Sequence, residues 1–377
     1  MKIVKLKDYC LIIAGQSPES KYYNMEGEGL PFFQGKADFG IIYPSIRVYC
    51  SKPTKIAEKD DILLSVRAPV GPTNLAPCQV CIGRGLTAIR PSKELLTPYV
   101  LFFFKYFEAQ LTLKGTGTTF KAITQDVVKN LEIPVPPLPE QERIVARIEE
   151  LFSQLDAGVK TLKTTKAQLA VYRQAVLKKA FDRVPIRTPF GNISQSRLGK
   201  MLDKEKNIGK PRHYLRNINV RWFNFDLNDL LEIRIKDNEI DKYSICKNDL
   251  VICEGGEPGR CAVWESNENI FYQKALHRVR FTNGANPKFY MYFLWYAAQT
   301  GQLKPFFTGT GIKHLTGESI AKLPVPNPDN VIQNSIVQEI ESRLSVCDSI
   351  EQTVNTALQQ AEALRQSILK QAFEGKL

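Results

Sequence analysis

The sequence predicts an α+β chain written twice: two mixed α/β globular units separated by two long helices that pair as an antiparallel coiled coil, giving a pseudo-twofold internal repeat. Three observations predict this. Residues 144–182 align without gaps to residues 336–374, a shift of 192, with about fifteen of 39 positions identical; such self-similarity marks a duplicated architecture. Each copy is a long run whose apolar residues return every three or four positions, the spacing of a narrow helical stripe. The chain between the copies breaks into short β-type segments bounded by Gly and Pro. The resulting layout is a globular unit over 1–137, a helical spacer over 138–183, a second unit over 184–326 and a C-terminal helical spacer over 327–377.

The elements follow in order. Segments 61–66, 80–82 and 87–89 in the first unit, and 250–253 and 262–264 in the second, have the composition of strands. The aromatic runs YVLFFFKY (99–106) and FYMYFLWY (289–296) are apolar nearly all round and fit buried helices better than base-stacking platforms. The repeat continues between them. Ile133-Pro134-Val135-Pro136 mirrors Leu323-Pro324-Val325-Pro326, Gly115-Thr116-Gly117 mirrors Gly309-Thr310-Gly311, Asp61 mirrors Asp249, and Gly71 stands opposite Gly259. In the first spacer Pro139 suits a first helical turn, where its missing N–H costs little, and Glu140 and Glu142 favour that end of the helix dipole. The seam of that helix is Ile144, Ile148, Leu151, Leu155, Leu162, Leu169, Tyr172 and Val176. In the second helix it is Ile336, Ile340, Cys347, Ile350, Val354, Ala357, Ala361, Leu364 and Ile368. About 44 residues at 1.5 Å each make a rod of roughly 65 Å.

Composition narrows the function. Apolar and charged contents of 43% and 24% are those of a folded globular protein. The net charge of +12 is not ordinary and favours a polyanionic partner, nucleic acid first. No apolar run approaches the roughly 18 residues of a membrane span, and scattered cysteines suit a reducing compartment, so a cytoplasmic protein is expected. Cys78 and Cys81 form one C-x-x-C with no second pair, which reads as strand cysteines before zinc ligands. A phosphate-cradling G-x-x-x-x-G-K-[ST] run is missing, as are a metal-binding histidine pair among His213, His277 and His314 and an [ND]-P-P-[YF] run. Glu254 and Glu257 beside Arg260 read as a solvated turn. The expectation is a binder without a catalytic centre, metal or cofactor of its own.

Several motifs resemble type I restriction-modification specificity subunits, the HsdS family. They are Pro136-Pro137-Leu138-Pro139-Glu140-Gln141 at the start of the first long helix, the segments 61–71, 82–86 and 115–124 in the first unit, and 214–220, 252–261 and 276–278 in the second. The second helix starts from Asn327-Pro328-Asp329-Asn330-Val331-Ile332-Gln333 and lacks the Pro-Glu-Gln form. The resemblance implies two target-recognition domains, each reading half of a bipartite, asymmetric site in double-stranded DNA. It implies helices that act as ruler and dock, with Pro139, Glu140 and Gln141 in docking. It also implies two methyltransferase subunits carrying S-adenosylmethionine and two restriction subunits using ATP and Mg. A specificity subunit of a related bipartite system outside type I, or a coiled-coil scaffold without DNA readout, are the competing readings. Basic side chains would neutralise phosphates while polar ones read base edges. The candidates are Gln34, Lys36, Arg67, Arg84 and Lys121 in the first unit, and Arg216, Asn217, Arg221, Arg260, Lys274, His277 and Lys313 in the second.

Overall fold

The computed structural model describes every residue except Met1, 116–121, 185–186, Lys204 and Lys206. Lys121 and the Thr116-Gly117 part of the first Gly-Thr-Gly run therefore lie outside the described residues. The chain divides into two compact units, Met1–Leu162 with Asn355–Leu377, and Lys163–Val354.

The two units share the topology of their main sheet, while their second sheets have five strands and four respectively. In the first, a four-stranded antiparallel sheet runs in the order Cys10–Ala14, Leu86–Pro91, Ile62–Ser65, Thr73–Leu75. In the second, the order is Ser194–Leu198, Leu276–Phe281, Leu250–Cys253, Cys261–Val263. A second sheet in each unit is built on a parallel pair: Leu30–Phe33 beside Val80–Ile82, and Lys210–Leu215 beside Ile270–Tyr272. A short antiparallel pair completes each unit, Lys2–Lys5 with Glu132–Val135 and Arg187–Pro189 with Pro324–Pro326.

The same ion pair, a partly exposed arginine on a buried aspartate, pins each four-stranded sheet. Arg90 donates to Asp61 from Nε and Nη2, both at 2.8 Å, and Arg280 donates to Asp249 at 2.7 and 2.6 Å. The carboxylates are 2% and 1% exposed, and each also accepts a backbone N–H, from Glu58 at 2.8 Å or Cys246 at 2.7 Å. A buried carboxylate needs such saturation, because an unpaired one is costly to desolvate.

Both aromatic runs are buried helices, Thr97–Lys114 and Pro287–Gln299. Tyr99, Phe103 and Tyr106 surround Phe373, with ring centroids 5.1, 5.6 and 5.6 Å away. Phe289, Phe293 and Tyr296 surround Phe181 at 5.4, 5.5 and 5.6 Å. Each core is thus closed by the last turns of a long helix, at positions 192 residues apart.

The long helices span Leu138–Asp182 and Asn330–Phe373. In each unit an early stretch of one lies beside a late stretch of the other. Arg365 pairs with Asp156 in the first unit, and Arg173 pairs with Asp348 at 2.6 Å in the second. These four positions are two repeat pairs, so one contact is made twice with the helices exchanging roles. Of the seam residues, Ile144, Ile148, Leu169, Val176, Ile336, Ile340, Val354 and Ile368 are buried and Leu151, Leu155 and Leu162 half-buried. Tyr172, Ile350 and Leu364 are corrections, at 44%, 40% and 51% exposed. The buried stripe instead passes through Leu344, Cys347, Val354 and Ala361, in steps of three and then seven that leave Ile350 and Leu364 at its edge.

The helix starts correct a second expectation. Gln141 is fully buried, so its side chain offers no docking surface. Its Oε1 accepts the Leu96 N–H at 2.9 Å, and its Nε2 donates to the carbonyls of Glu94 and Pro136, both at 2.9 Å. Gln333, also fully buried, accepts the Asn286 N–H at 2.8 Å and donates to the Pro328 carbonyl at 2.9 Å. Pro-Glu-Gln is absent from the second helix start, yet the glutamine clamp is present in both. Glu140 is half-buried and pairs with Arg143 at 2.8 Å.

Candidate nucleic-acid interface

In each unit a cleft opens where the parallel strands end. The first, about 800 Å³, is lined by the loop after Leu30–Phe33, by Ser65 and Arg67–Pro69, and by Arg84 and Gly85. Phe33 and Gly83 are tied by a 2.8 Å backbone bond, which draws the two strand ends together. A Cβ at Gly85 would stand 2.3 Å from the Gln34 carbonyl oxygen, so only glycine permits this approach. The loop 65–69 is turned by Ser65, whose hydroxyl donates to the carbonyls of Arg67 at 3.1 Å and Pro69 at 2.9 Å.

Four of the sequence-predicted residues therefore converge: Gln34, Lys36, Arg67 and Arg84 share this cleft. Arg47, missed in the sequence because it lies in an undistinguished extended stretch, joins them and pairs with Asp38. Among the described residues Lys36, Arg67 and Arg84 form no ion pair, and all three are exposed. Cations left unspent by the fold are the groups able to meet phosphates.

The second cleft, about 470 Å³, is lined by Leu198, Asn217, Glu254–Gly256, Lys274, Ala275 and His314. Lys274 is the counterpart of Arg84, on the loop joining the equivalent strands, and is likewise exposed. Its surroundings differ. Arg216 is spent on Asp229, whose backbone carbonyl it also meets at 2.8 Å. Arg260 bonds Glu257 at 2.9 Å and the Asn217 Oδ1 at 2.8 Å, while Asn217 Nδ2 donates to the Gly255 carbonyl at 2.6 Å. These three candidates form a network that holds the loop, with Asn217 in the cleft lining and Arg216 and Arg260 outside it. Gly259 closes the turn at φ +95°, as Gly71 does at +113°, a backbone region that favours glycine.

His277 is a further correction. It is 3% exposed, with Nδ1 3.5 Å from Ser196 Oγ and Nε2 3.5 Å from Glu254. Burial lowers its pKa to about 4, so it is neutral near pH 7 and no phosphate ligand. Arg221 is half exposed and 3.8 Å from Asp226; Lys313 is exposed and donates to the Gly309 carbonyl at 2.7 Å, outside the cleft lining. Sequence reasoning also missed Glu254 and His314 as cleft residues, since a carboxylate in a glycine-rich turn carries no distinguishing spacing.

Among the described residues no cluster of three or more His, Cys, Asp or Glu is placed to hold a metal, and no helix is long and apolar enough to cross a membrane. Cys81 is buried in its strand, which pushes its thiol up to about 11, and Cys78 is half-buried.

The comparisons with known proteins agree with this duplicated fold. A chain named as the MjaX type I restriction enzyme specificity subunit of Methanocaldococcus jannaschii is 48% identical over 144 residues, 38% of this chain and 34% of that one. This chain thus matches about a third of that relative's length. The EcoKI specificity subunit of Escherichia coli is 25% identical over 324 residues, 80% of this chain and 70% of that one. The crystal structure of an HsdS subunit from Thermoanaerobacter tengcongensis has the same fold, with a TM-score of 0.63 at 17% identity over 100% of this chain and 97% of that one. The family model described as the type I restriction modification DNA specificity domain matches residues 1–169 and 233–360, and the chain belongs to that family.

Proposed function

We propose that this chain reads DNA for a type I restriction-modification complex, each unit taking one half of a bipartite, asymmetric site. The observation that carries it is the duplicated cleft. One loop-and-strand arrangement occurs twice, with exposed cations at equivalent places (Arg84 and Lys274) and different side chains around them. Duplicated frames with divergent linings suit two readers of different sequences. The cations would set register on the phosphates, and the polar groups would read base edges.

The long helices, in this reading, form an antiparallel coiled coil that fixes the gap between half-sites. The repeated Arg–Asp pairs and the stripe in steps of three and seven support it. Solvent-accessible residues at the helix starts, the exposed Pro139 and half-buried Glu140 among them, remain for docking two methyltransferase and two restriction subunits. S-adenosylmethionine, ATP and Mg belong to those partners. Reconstitution with a cognate methyltransferase tests the reading. Exchanging residues 1–137 for those of a relative should change one half of the methylated sequence and leave the other half and the gap intact. A change in both halves would overturn it.

A further inference from the structure

We infer that Glu254 is a specificity-determining residue, its carboxylate accepting a hydrogen bond from the exocyclic amino group of a cytosine or adenine in the half-site taken by the second unit. The inference rests on the DNA-reading function proposed above.

The backbone at Glu254 is fixed by two bonds: its N–H donates to the Ala275 carbonyl at 3.0 Å, and its carbonyl accepts from the Leu315 N–H at 2.7 Å. The first unit makes the same two bonds at Val66, to Gly85 at 3.0 Å and from Ile123 at 3.0 Å. Val66 and Glu254 are therefore one position of the shared frame, five residues after Asp61 and Asp249 respectively. The frame does not need a carboxylate there, since valine serves in the first unit.

Nor does the second unit spend the carboxylate. Among the described residues the neighbouring acids are paired, Glu257 with Arg260 at 2.9 Å, Glu239 with Lys200 at 2.7 Å, and Asp229 with Arg216. Among the described residues the Glu254 carboxylate meets only two histidines, His277 Nε2 at 3.5 Å and His314 Nδ1 at 3.8 Å, and forms no hydrogen bond with either. His277 Nε2 is itself a buried polar atom without a partner. The carboxylate is 21% exposed and lines the cleft beside Lys274.

An acceptor-only anion placed on a DNA-facing surface repels every phosphate and weakens binding to all sequences alike. It is compatible with such a surface only where DNA presents donors. In the major groove those donors are cytosine N4 and adenine N6. Lys274, in the same cleft, supplies a cation that offsets the repulsion. Because the first unit carries valine at this position, the amino-base preference belongs to one half-site only.

The test is selection of the full-length chain on a randomised duplex DNA library, comparing the natural protein with Glu254→Gln. The expected result is loss of discrimination at a single position of one half-site, by roughly 5- to 150-fold. The other half-site and the gap should be unchanged, and affinity for unrelated DNA should be equal or higher. Glu254→Val, which installs the first unit's residue, should do the same. Unchanged preference in both variants overturns the inference while leaving the DNA-reading function intact. A natural protein with no bipartite preference would remove both. Tryptophan fluorescence reports the second unit, which holds Trp222, Trp264 and Trp295. If both variants unfold that unit, the carboxylate serves the fold and the inference fails.

Discussion

The two clefts are built on one backbone and carry opposite electrostatic designs. In the first unit the loops present Lys36, Arg67 and Arg84 without ion-pair partners among the described residues, and only Arg47 is neutralised, by Asp38. In the second, Gly255 stands where the first has Arg67, and Arg216 and Arg260 are consumed by Asp229 and Glu257. A carboxylate, Glu254, enters the lining and Lys274 is left as its exposed lysine. Duplication has preserved the hydrogen-bonded frame and the Arg–Asp pins while the solvent-facing side chains diverged. A net charge of +12 summed over the chain conceals this division. The first cleft presents three exposed cations, the second one lysine beside a carboxylate.

Salt titration of DNA binding sharpens that contrast most. Each lost phosphate contact lowers the slope of log affinity against log salt by about 0.9. Replacing Lys36, Arg67 and Arg84 together by Gln should therefore reduce the slope by about 2.7 and weaken binding to all sequences roughly 100-fold near physiological salt. Lys274→Gln should reduce it by only about 0.9. Equal losses from the two clefts would erase the asymmetry.

The frame was far more legible in the sequence than the linings. Helix repeats, buried aromatic runs and strand segments are dictated by periodicity, and residues such as Phe181, Phe373, Asp61 and Asp249 repeat because each core demands them. Gln34, Lys36, Arg67 and Arg84 could be named from turn-rich context, and they share one cleft. In the second unit Asn217 and Lys274 line the cleft, whereas Arg216 and Arg260 are held in ion pairs and His277 is buried. Whether an arginine faces DNA or a neighbouring aspartate depends on tertiary pairing that adjacent residues do not encode. His277 looked like a polar loop residue but lies on the strand Leu276–Phe281, pointing inward. Gln141 was masked by a motif: its value is the backbone groups it saturates, visible only once Gln333 is seen doing the same.

Acid exposes a second difference between the units. Burial holds His277 at about 4, while the unfolded imidazole titrates near 6.5. Between those values the unfolded state binds more protons, so stability falls as pH falls. From pH 7 to pH 5 the loss should be about 2 kcal/mol, confined to the second unit. Urea unfolding followed by tryptophan fluorescence reads that unit alone, and His277→Gln should flatten this part of its pH dependence. An unaltered pH profile in the variant would show that His277 is not the group responsible.

The smallest effect separates two versions of one contact. Arg173 pairs with Asp348 at 2.6 Å and Glu351 at 2.8 Å, a largely ionic site. Arg365, its repeat counterpart, pairs with Asp156 but also lies over the Phe152 ring, 4.5 Å from the centroid. The position matching Phe152 in the other helix is Leu344, and the one matching Glu351 is Val159, so each arginine has exchanged one kind of second partner for another. Partly exposed ion pairs contribute about 1 kcal/mol or less and are screened by salt, whereas a stacked guanidinium keeps its ring contact. Alanine at either arginine should cost about 1 kcal/mol at low salt. Raising salt to roughly 1 M, where the screening length is about 3 Å, should remove most of the cost at Arg173 and leave part of it at Arg365. Arg365→Lys should lose the stacking and become as salt-sensitive as Arg173. Matching salt responses of Arg173→Ala and Arg365→Ala would mean that the ring contributes nothing, and that the two copies of the helix pair are energetically as well as geometrically equivalent.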